Sequence, residues 1–166
     1  RQRLYLYQSP RSTDHRILGI SVMRILIING PNLNLIGKRE PEVYGSETLD
    51  EIMEWLEASP EMREHELEHF QSNHEGAIID RLHNAMGQSD GIIINPGAYS
   101  HTSYAIRDAI TSVGIPTMEV HLSDIHNREE FRRASVISPV CVGQISGLGK
   151  KSYLEGLKKL LKSMFD

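Results

Sequence analysis

The chain has 166 residues, 39% hydrophobic and 24% charged, which suits one globular domain long enough to bury a core. Its formal net charge of -4 comes from acids and bases interspersed along the sequence, which excludes both the electrostatic footprint of a nucleic-acid binder and a polybasic membrane patch. The single cysteine, Cys141, cannot close an intrachain disulfide and lies between Val140 and Val142, so it reads as an inert buried thiol in a cytoplasmic protein.

Residues 1–22 differ in character from the rest of the chain. They carry polar turns at Gln8-Ser9-Pro10 and Ser12-Thr13-Asp14, and the apolar piece from Ile17 to Val22 is too short for a signal-peptide core or a membrane span. They are read as a leader, non-native or disordered, ahead of a single catalytic domain over 23–166; alternation in Leu4-Tyr5-Leu6-Tyr7 offers the alternative of an extra strand at a subunit contact. The first clear strand is Arg24 to Asn29, and it ends in the polar run Asn29-Gly30-Pro31-Asn32. A loop from Leu33 to Glu47 comes next, well beyond the roughly 2 to 6 residues usual for such connections, and loops of that length are commonly lids or binding loops.

Thr48 and Glu51 form a capping-box signature, and Leu49, Ile52, Met53 and Leu56 keep helical spacing through Ala58, with Trp55 off the stripe and partly exposed. A weaker strand, Leu67 to Gln71, precedes a helix after Asn73 whose Ile78, Ile79, Leu82, Ala85 and Met86 share one face until Gly87. Ile92, Ile93 and Ile94 then make an unbroken apolar run, the pattern of a strand buried on both faces of a parallel sheet. Asn95, Ser100 and His101 terminate it, and Thr102 or Ser103 can cap a helix from Tyr104 to Val113 that Gly114 stops. A fourth strand, Ile115 to His121, a short charged helix, Arg128 to Arg133, and a fifth strand, Val140 to Ser146, complete the sheet. Gly147 and Gly149 open the last helix, where Leu154, Leu157, Leu160, Leu161 and Met164 hold the period.

Five strands alternating with helices predict an α/β fold, a doubly wound five-stranded parallel sheet with helices on both faces. Ligands in such folds bind outside the carboxyl ends of the strands. Three of those ends, Asn29 to Asn32, Asn95 to His101 and Glu119 to Ser123, are therefore expected to line one pocket whose groups suit proton transfer and hydroxyl recognition. No lysine sits on a core strand poised for a Schiff base. The long loop adds Arg39 five residues before Tyr44, with Pro41 stiffening the turn and Gly37 and Gly45 as hinges. Keeping a tyrosine ionised at neutral pH costs roughly 4 kcal/mol from its reference pKa of about 10, and an adjacent guanidinium in a dry site lowers that cost.

Taken singly, each residue also has a structural reading: Tyr44 as a lid side chain, His101 and His121 as hydrogen-bonding residues, Arg39 and Arg132 as solvated charges. His65 and His69 have the spacing of a zinc helix but no third ligand. Gly147-Leu148-Gly149 lacks the Lys-Ser/Thr pair of a phosphate loop at its required spacing, so packing or capping explains it better than an anion. A flavin-binding electron carrier shares the fold but needs a hydroxyl-rich first βα loop; a scaffold module has no need of Arg39 and Tyr44 opposite two strand-end histidines.

Six segments together carry a resemblance. They are Asn29-Gly30-Pro31-Asn32-Leu33, Gly37-x-Arg39-x-Pro41-x-x-Tyr44-Gly45, Gln71-Ser72-Asn73-x-Glu75-Gly76, Asn95-Pro96-Gly97-Ala98-x-x-His101-Thr102-Ser103, Glu119-Val120-His121-x-Ser123 and Arg128-Glu129-Glu130-Phe131-Arg132. In order and spacing, from Met23 to Asp166, they resemble type II 3-dehydroquinate dehydratase. The resemblance implies a flavodoxin-like dodecamer, a tetramer of trimers, without cofactor or metal. It would dehydrate 3-dehydroquinate to 3-dehydroshikimate by anti elimination through an enolate, for aromatic biosynthesis or for quinate breakdown. It makes Tyr44 the base at C2, Arg39 the group that lowers the tyrosine pKa, His121 the acid for the departing hydroxyl and Glu119 its orienting partner. Asn32 would hold a water near the enolate oxygen, Asn95, His101 and Arg132 would bind substrate hydroxyls, and the amides of Leu122 and Ser123 would cradle the carboxylate. Asp108 would reach a neighbouring subunit's site.

Overall fold

The computed structural model describes residues 16–17, 20–38, 42 and 46–166. Two short strands, β1 (Arg16–Ile17) and β2 (Ile20–Ser21), pair antiparallel ahead of the main body. The Leu4 to Tyr7 segment, and most of the leader reading with it, lies outside the described residues.

The main sheet contains β3 (Arg24–Asn29), β4 (Glu66–Gln71), β5 (Gly91–Asn95), β6 (Thr117–His121) and β7 (Gly143–Ser146). Their spatial order is β4-β3-β5-β6-β7, and every pairing is parallel. The chain thus winds outward in one direction from β3 to β4 and then reverses to β5, which puts the switch point between β3 and β5. This is the doubly wound, flavodoxin-like order.

Among the described residues, four helices cover the two faces: α1 (Leu49–Glu57), α2 (Glu75–Asn84), α3 (Tyr104–Val113) and α4 (Lys151–Phe165). Because side chains alternate along a strand, Ile25 and Ile27 pack with α1 and α4, while Leu26 and Ile28 pack with α2 and α3. Ile92, Ile93 and Ile94 are fully buried, as a strand covered on both faces requires. The capping box forms as read: Thr48 Oγ1 accepts from the Glu51 N–H, and Glu51 Oε2 accepts from the Thr48 N–H at 2.7 Å. Ser103, not Thr102, caps α3, its hydroxyl accepting from the Ile106 N–H at 2.9 Å.

The departures have local causes. β6 begins at Thr117 rather than Ile115, since Pro116 has no N–H to give the ladder and instead offers its carbonyl to Ile92. β7 begins at Gly143, because Pro139 starts a 3₁₀ turn over Ser138–Val140. In place of a charged helix over 128–133 there is a 3₁₀ turn, Glu130–Arg132, preceded by another over Ile125–Asn127, each too short to offset the cost of an α-helical nucleus. Met86 falls beyond the end of α2 and is exposed. His69 lies on β4, not on a helix, and His65 Nδ1 accepts the Met23 N–H at 3.2 Å; among the described residues no group of His, Cys, Asp or Glu is placed to hold a metal ion. No helix among them is long and apolar enough to cross a membrane.

Candidate active site

The tips of β3, β5 and β6 are neighbours in the sheet, and their polar ends open into one pocket. The first tip turns sharply. A Cβ on Gly30 would fall 2.5 Å from the Pro96 carbonyl oxygen, so only glycine lets the loops after β3 and β5 lie this close. Asn32 then takes a left-handed backbone conformation (φ 67), which asparagine tolerates better than most residues. Its N–H donates to Asn73 Oδ1 at 2.9 Å, and Gln71 Nε2 donates to the same oxygen and to the Gly30 carbonyl. The Gln71-Ser72-Asn73 segment thus buttresses the loop that carries Asn32.

Asn95 ends β5 almost fully buried. Its side-chain oxygen accepts the Gly97 N–H at 3.3 Å, and its Nδ2 donates to Tyr153 Oη at 3.1 Å. Tyr153, fully buried on α4, donates in turn to Asn29 Oδ1 at 2.5 Å. Burial pushes the phenol well above its ordinary pKa, so it stays a neutral donor. An amide can make four hydrogen bonds, and these two leave one N–H and one lone pair of Asn95 for the pocket. No helical-period argument marks Tyr153 as anything but core.

The 3₁₀ turn Gly97–His101 carries His101 to the pocket wall. Its Nδ1 lies 2.7 Å from the Ala134 carbonyl, which can only accept, so Nδ1 bears a proton, and its Nε2 lies 3.3 Å from Ser100 Oγ. On β6 the arrangement is tighter. His121 Nε2 lies 2.7 Å from Glu119 Oε1, with the carboxylate fully buried and the imidazole 6% exposed. Glu119 also accepts from Ser135 Oγ at 2.9 and 3.0 Å. With Nε2–H committed to the carboxylate, Nδ1 is the ring nitrogen left to act on a pocket ligand.

Leu122, Ser123, Arg128 and Arg132 complete this side of the pocket. Arg128 Nη1 is 3.5 Å from Ser123 Oγ, and Arg132 pairs with Glu129 at 3.1 Å while its guanidinium lies over the Phe131 ring. The Glu129 carboxyl is held below its ordinary range by its own backbone N–H, with Arg132 and Arg128 adding to the effect. Two arginines facing amide and imidazole groups suit an anionic, hydroxylated ligand.

Of the residues picked from the sequence, Asn32, Asn95, His101, His121, Leu122, Ser123 and Arg132 line this one pocket, and Glu119 stands directly behind His121. Asp108 is exposed on α3 and is not among the lining residues. Arg39 and Tyr44 lie outside the described residues. The far end of their loop is anchored: Lys150 Nζ donates to Glu47 Oε1 at 2.6 Å and sits 4.8 Å over the Trp55 ring, which explains that side chain's partial burial. Gly149 N–H bonds the Leu122 carbonyl and Leu148 N–H bonds Ser152 Oγ, so the Gly147 to Gly149 turn serves packing and capping. Ser135 and Tyr153 carry no sequence signal that singles them out, and Arg128 is marked only as the first residue of the Arg128-Glu129-Glu130-Phe131-Arg132 segment.

Residues 23–161 match the family profile described as Dehydroquinase class II. A 3-dehydroquinate dehydratase of Caldicellulosiruptor saccharolyticus is 57% identical over 138 residues, spanning 82% of this chain and 95% of the relative. One from Bacillus licheniformis is 59% identical over 129 residues, 78% of this chain and 89% of the relative. Among solved structures, the type II dehydroquinase of Butyrivibrio crossotus superposes with a TM-score of 0.81 at 50% identity, covering 84% of this chain and 98% of that one.

Proposed function

The chain belongs to the class II dehydroquinase family, and on that premise we propose that its pocket dehydrates 3-dehydroquinate to 3-dehydroshikimate by anti elimination through an enolate. The observation that carries this reading is the Glu119-His121 pair at the floor of a pocket lined by amides and arginines. The substrate needs one proton removed beside its ketone and one delivered to a leaving hydroxyl. An imidazolium whose Nε2–H is held by a buried carboxylate has its second N–H free to protonate that hydroxyl. Tyr44, its phenolate favoured by Arg39, takes the C2 proton, and the electron pair moves into the adjacent carbonyl to give the enolate. Asn32 holds a water against the enolate oxygen. Collapse of the enolate then expels the hydroxyl at C1 as water, protonated by His121.

Binding obeys the same chemistry. The substrate carboxylate lies against the amides of Leu122 and Ser123, and its hydroxyls meet Asn95, His101 and Arg132. No step calls for a cofactor. We assign the enzyme to the shikimate pathway of the cytoplasm; the same elimination would serve quinate breakdown. The active form is a dodecamer, four trimers in which Asp108 of one subunit completes the site of another, a reading supported by its exposure away from its own pocket. Growth of enone absorbance on mixing the protein with 3-dehydroquinate tests the function, and its absence with folded, assembled protein overturns it.

A further inference from the structure

Ser135 lies in an irregular segment between the Glu130–Arg132 turn and the Ser138–Val140 turn, and nothing in its sequence neighbourhood marks it for chemistry. Its surroundings do. The Ser135 hydroxyl accepts from the Ile137 N–H at 3.2 Å and from the Ser138 N–H at 3.0 Å. A hydroxyl has two lone pairs and one proton, so two incoming N–H groups use its accepting capacity and leave the proton to be aimed elsewhere. That proton meets the Glu119 carboxylate, with Oγ 2.9 Å from Oε1 and 3.0 Å from Oε2. Glu119 has no access to solvent, and its other partner is His121 Nε2.

We propose that Ser135 is a positioning residue for the proton-delivering imidazole, a fixed donor that holds Glu119 as an oriented carboxylate so that His121 is pinned through Nε2 and presents Nδ1 to the pocket. The inference rests on the proposed dehydration only for its kinetic arm. Its physical content is a balance. A buried carboxylate with one donor fewer is a poorer anion and a stronger base toward the imidazolium, so it holds the shared proton to higher pH. Ser135 sets that balance by donating to both oxygens of Glu119. Without it the imidazolium persists longer but delivers less readily, and the carboxylate is free to rotate. Other titratable and charged groups face this pair. Cys141, from the segment before β7, has its thiol pushed up to about 12 by burial, with the Glu119 charge adding to the rise. His101, Arg128 and Arg132 face His121 across the pocket. All four are left in place by substitutions at Ser135.

The test uses the full chain as Ser135→Ala, Ser135→Thr and Ser135→Cys. NMR titration of the labelled imidazoles without substrate, with His121→Ala identifying the resonances of His121 among the eight histidines, reads the pair directly. Ser135→Ala should move the titration midpoint of His121 upward by about one unit. Ser135→Thr, which keeps the hydroxyl, should return most of that shift. In turnover of 3-dehydroquinate, Ser135→Ala should lower kcat about tenfold or more with KM nearly constant, and its basic limb should move up with the NMR midpoint. An unchanged midpoint in folded Ser135→Ala overturns the proposal, as does a midpoint shift that Ser135→Thr fails to reverse. Should Ser135→Ala not fold, Ser135→Cys, close in volume and a weaker donor, must shift the midpoint in the same direction or the proposal falls. Wild-type protein without turnover would refute the proposed dehydration, whereas the titration would still decide the role of Ser135.

Discussion

Tyr153 Oη lies 2.5 Å from Asn29 Oδ1 and 3.1 Å from Asn95 Nδ2, so one phenol on the last helix ties together the ends of the two strands that flank the switch point. These strands carry the Asn32 and Asn95 loops into the pocket, and their register is thereby fixed from beneath. Replacing Tyr153 by Phe keeps the ring but leaves a buried acceptor and a buried donor unpaired, each costing about 1–3 kcal/mol. Tyr153→Phe should therefore lower the Tm clearly in a thermal melt. In the surviving folded protein it should raise KM for 3-dehydroquinate more than it lowers kcat, because in the proposed reaction Asn95 binds rather than reacts.

Helix α4 also approaches β6 through a glycine. A Cβ on Gly156 would fall 2.6 Å from Val120 Cγ1, a short branched side chain between Glu119 and His121 that cannot swing away. Gly156→Ala gains about 1 kcal/mol of helix propensity but overpacks this contact by about 1–3 kcal/mol. Chemical denaturation should show a net loss of stability. A gain would mean that the helix is seated less closely on β6 than this contact requires.

Cys141 gives a pH-dependent prediction. Burial pushes its thiol up to about 12, so at pH 8 only roughly one part in ten thousand is thiolate, and native protein should react with thiol reagents far more slowly than unfolded protein. From the unfolded value of about 8.5 up to about 12, the unfolded state loses the proton that the folded state keeps, so this contribution is whole below pH 8.5 and is lost as pH rises through the window. Cys141→Ala should flatten the alkaline fall in stability. An equally steep fall in that variant would remove Cys141 as its cause.

Asp108 points to assembly. It is exposed on α3, outside its own pocket, so in the proposed trimer Asp108→Asn should lower kcat/KM without lowering the Tm of the subunit. Light scattering should give a mass near twelve chains of 18.8 kDa. A fully active monomer would detach Asp108 from the site.

What could be read from the sequence was governed by how local its cause is. The buried run Ile92 to Ile94 and the Thr48 and Glu51 cap each depend on residues within a turn or a strand of one another and formed as read, and the α3 cap fell to Ser103, one of the two residues offered for it. Proline displaced the starts of β6 and β7 by two or three residues, because the ladder needs N–H groups that hydrophobicity does not count. Most pocket residues were legible because strand ends in this topology share a rim, and because the family's motifs mark them. Tyr153 and Ser135 were not. Tyr153 meets Asn29 across 124 positions and keeps the same helical period as its apolar neighbours, and Ser135 draws its role from a carboxylate 16 residues away on a strand. Such partners are chosen by tertiary packing, and no local pattern records them.

Central to the proposed mechanism is that separate groups remove and deliver the proton, with His121 as the deliverer. The most direct measurement follows 3-dehydroquinate in deuterated water with His121→Ala, reading enone growth and C2 proton exchange in the same sample. Loss of dehydration with exchange retained is the predicted result, since in the proposed mechanism Tyr44 still forms the enolate. Dehydration at the wild-type rate, or exchange lost to the same degree as dehydration, would contradict it.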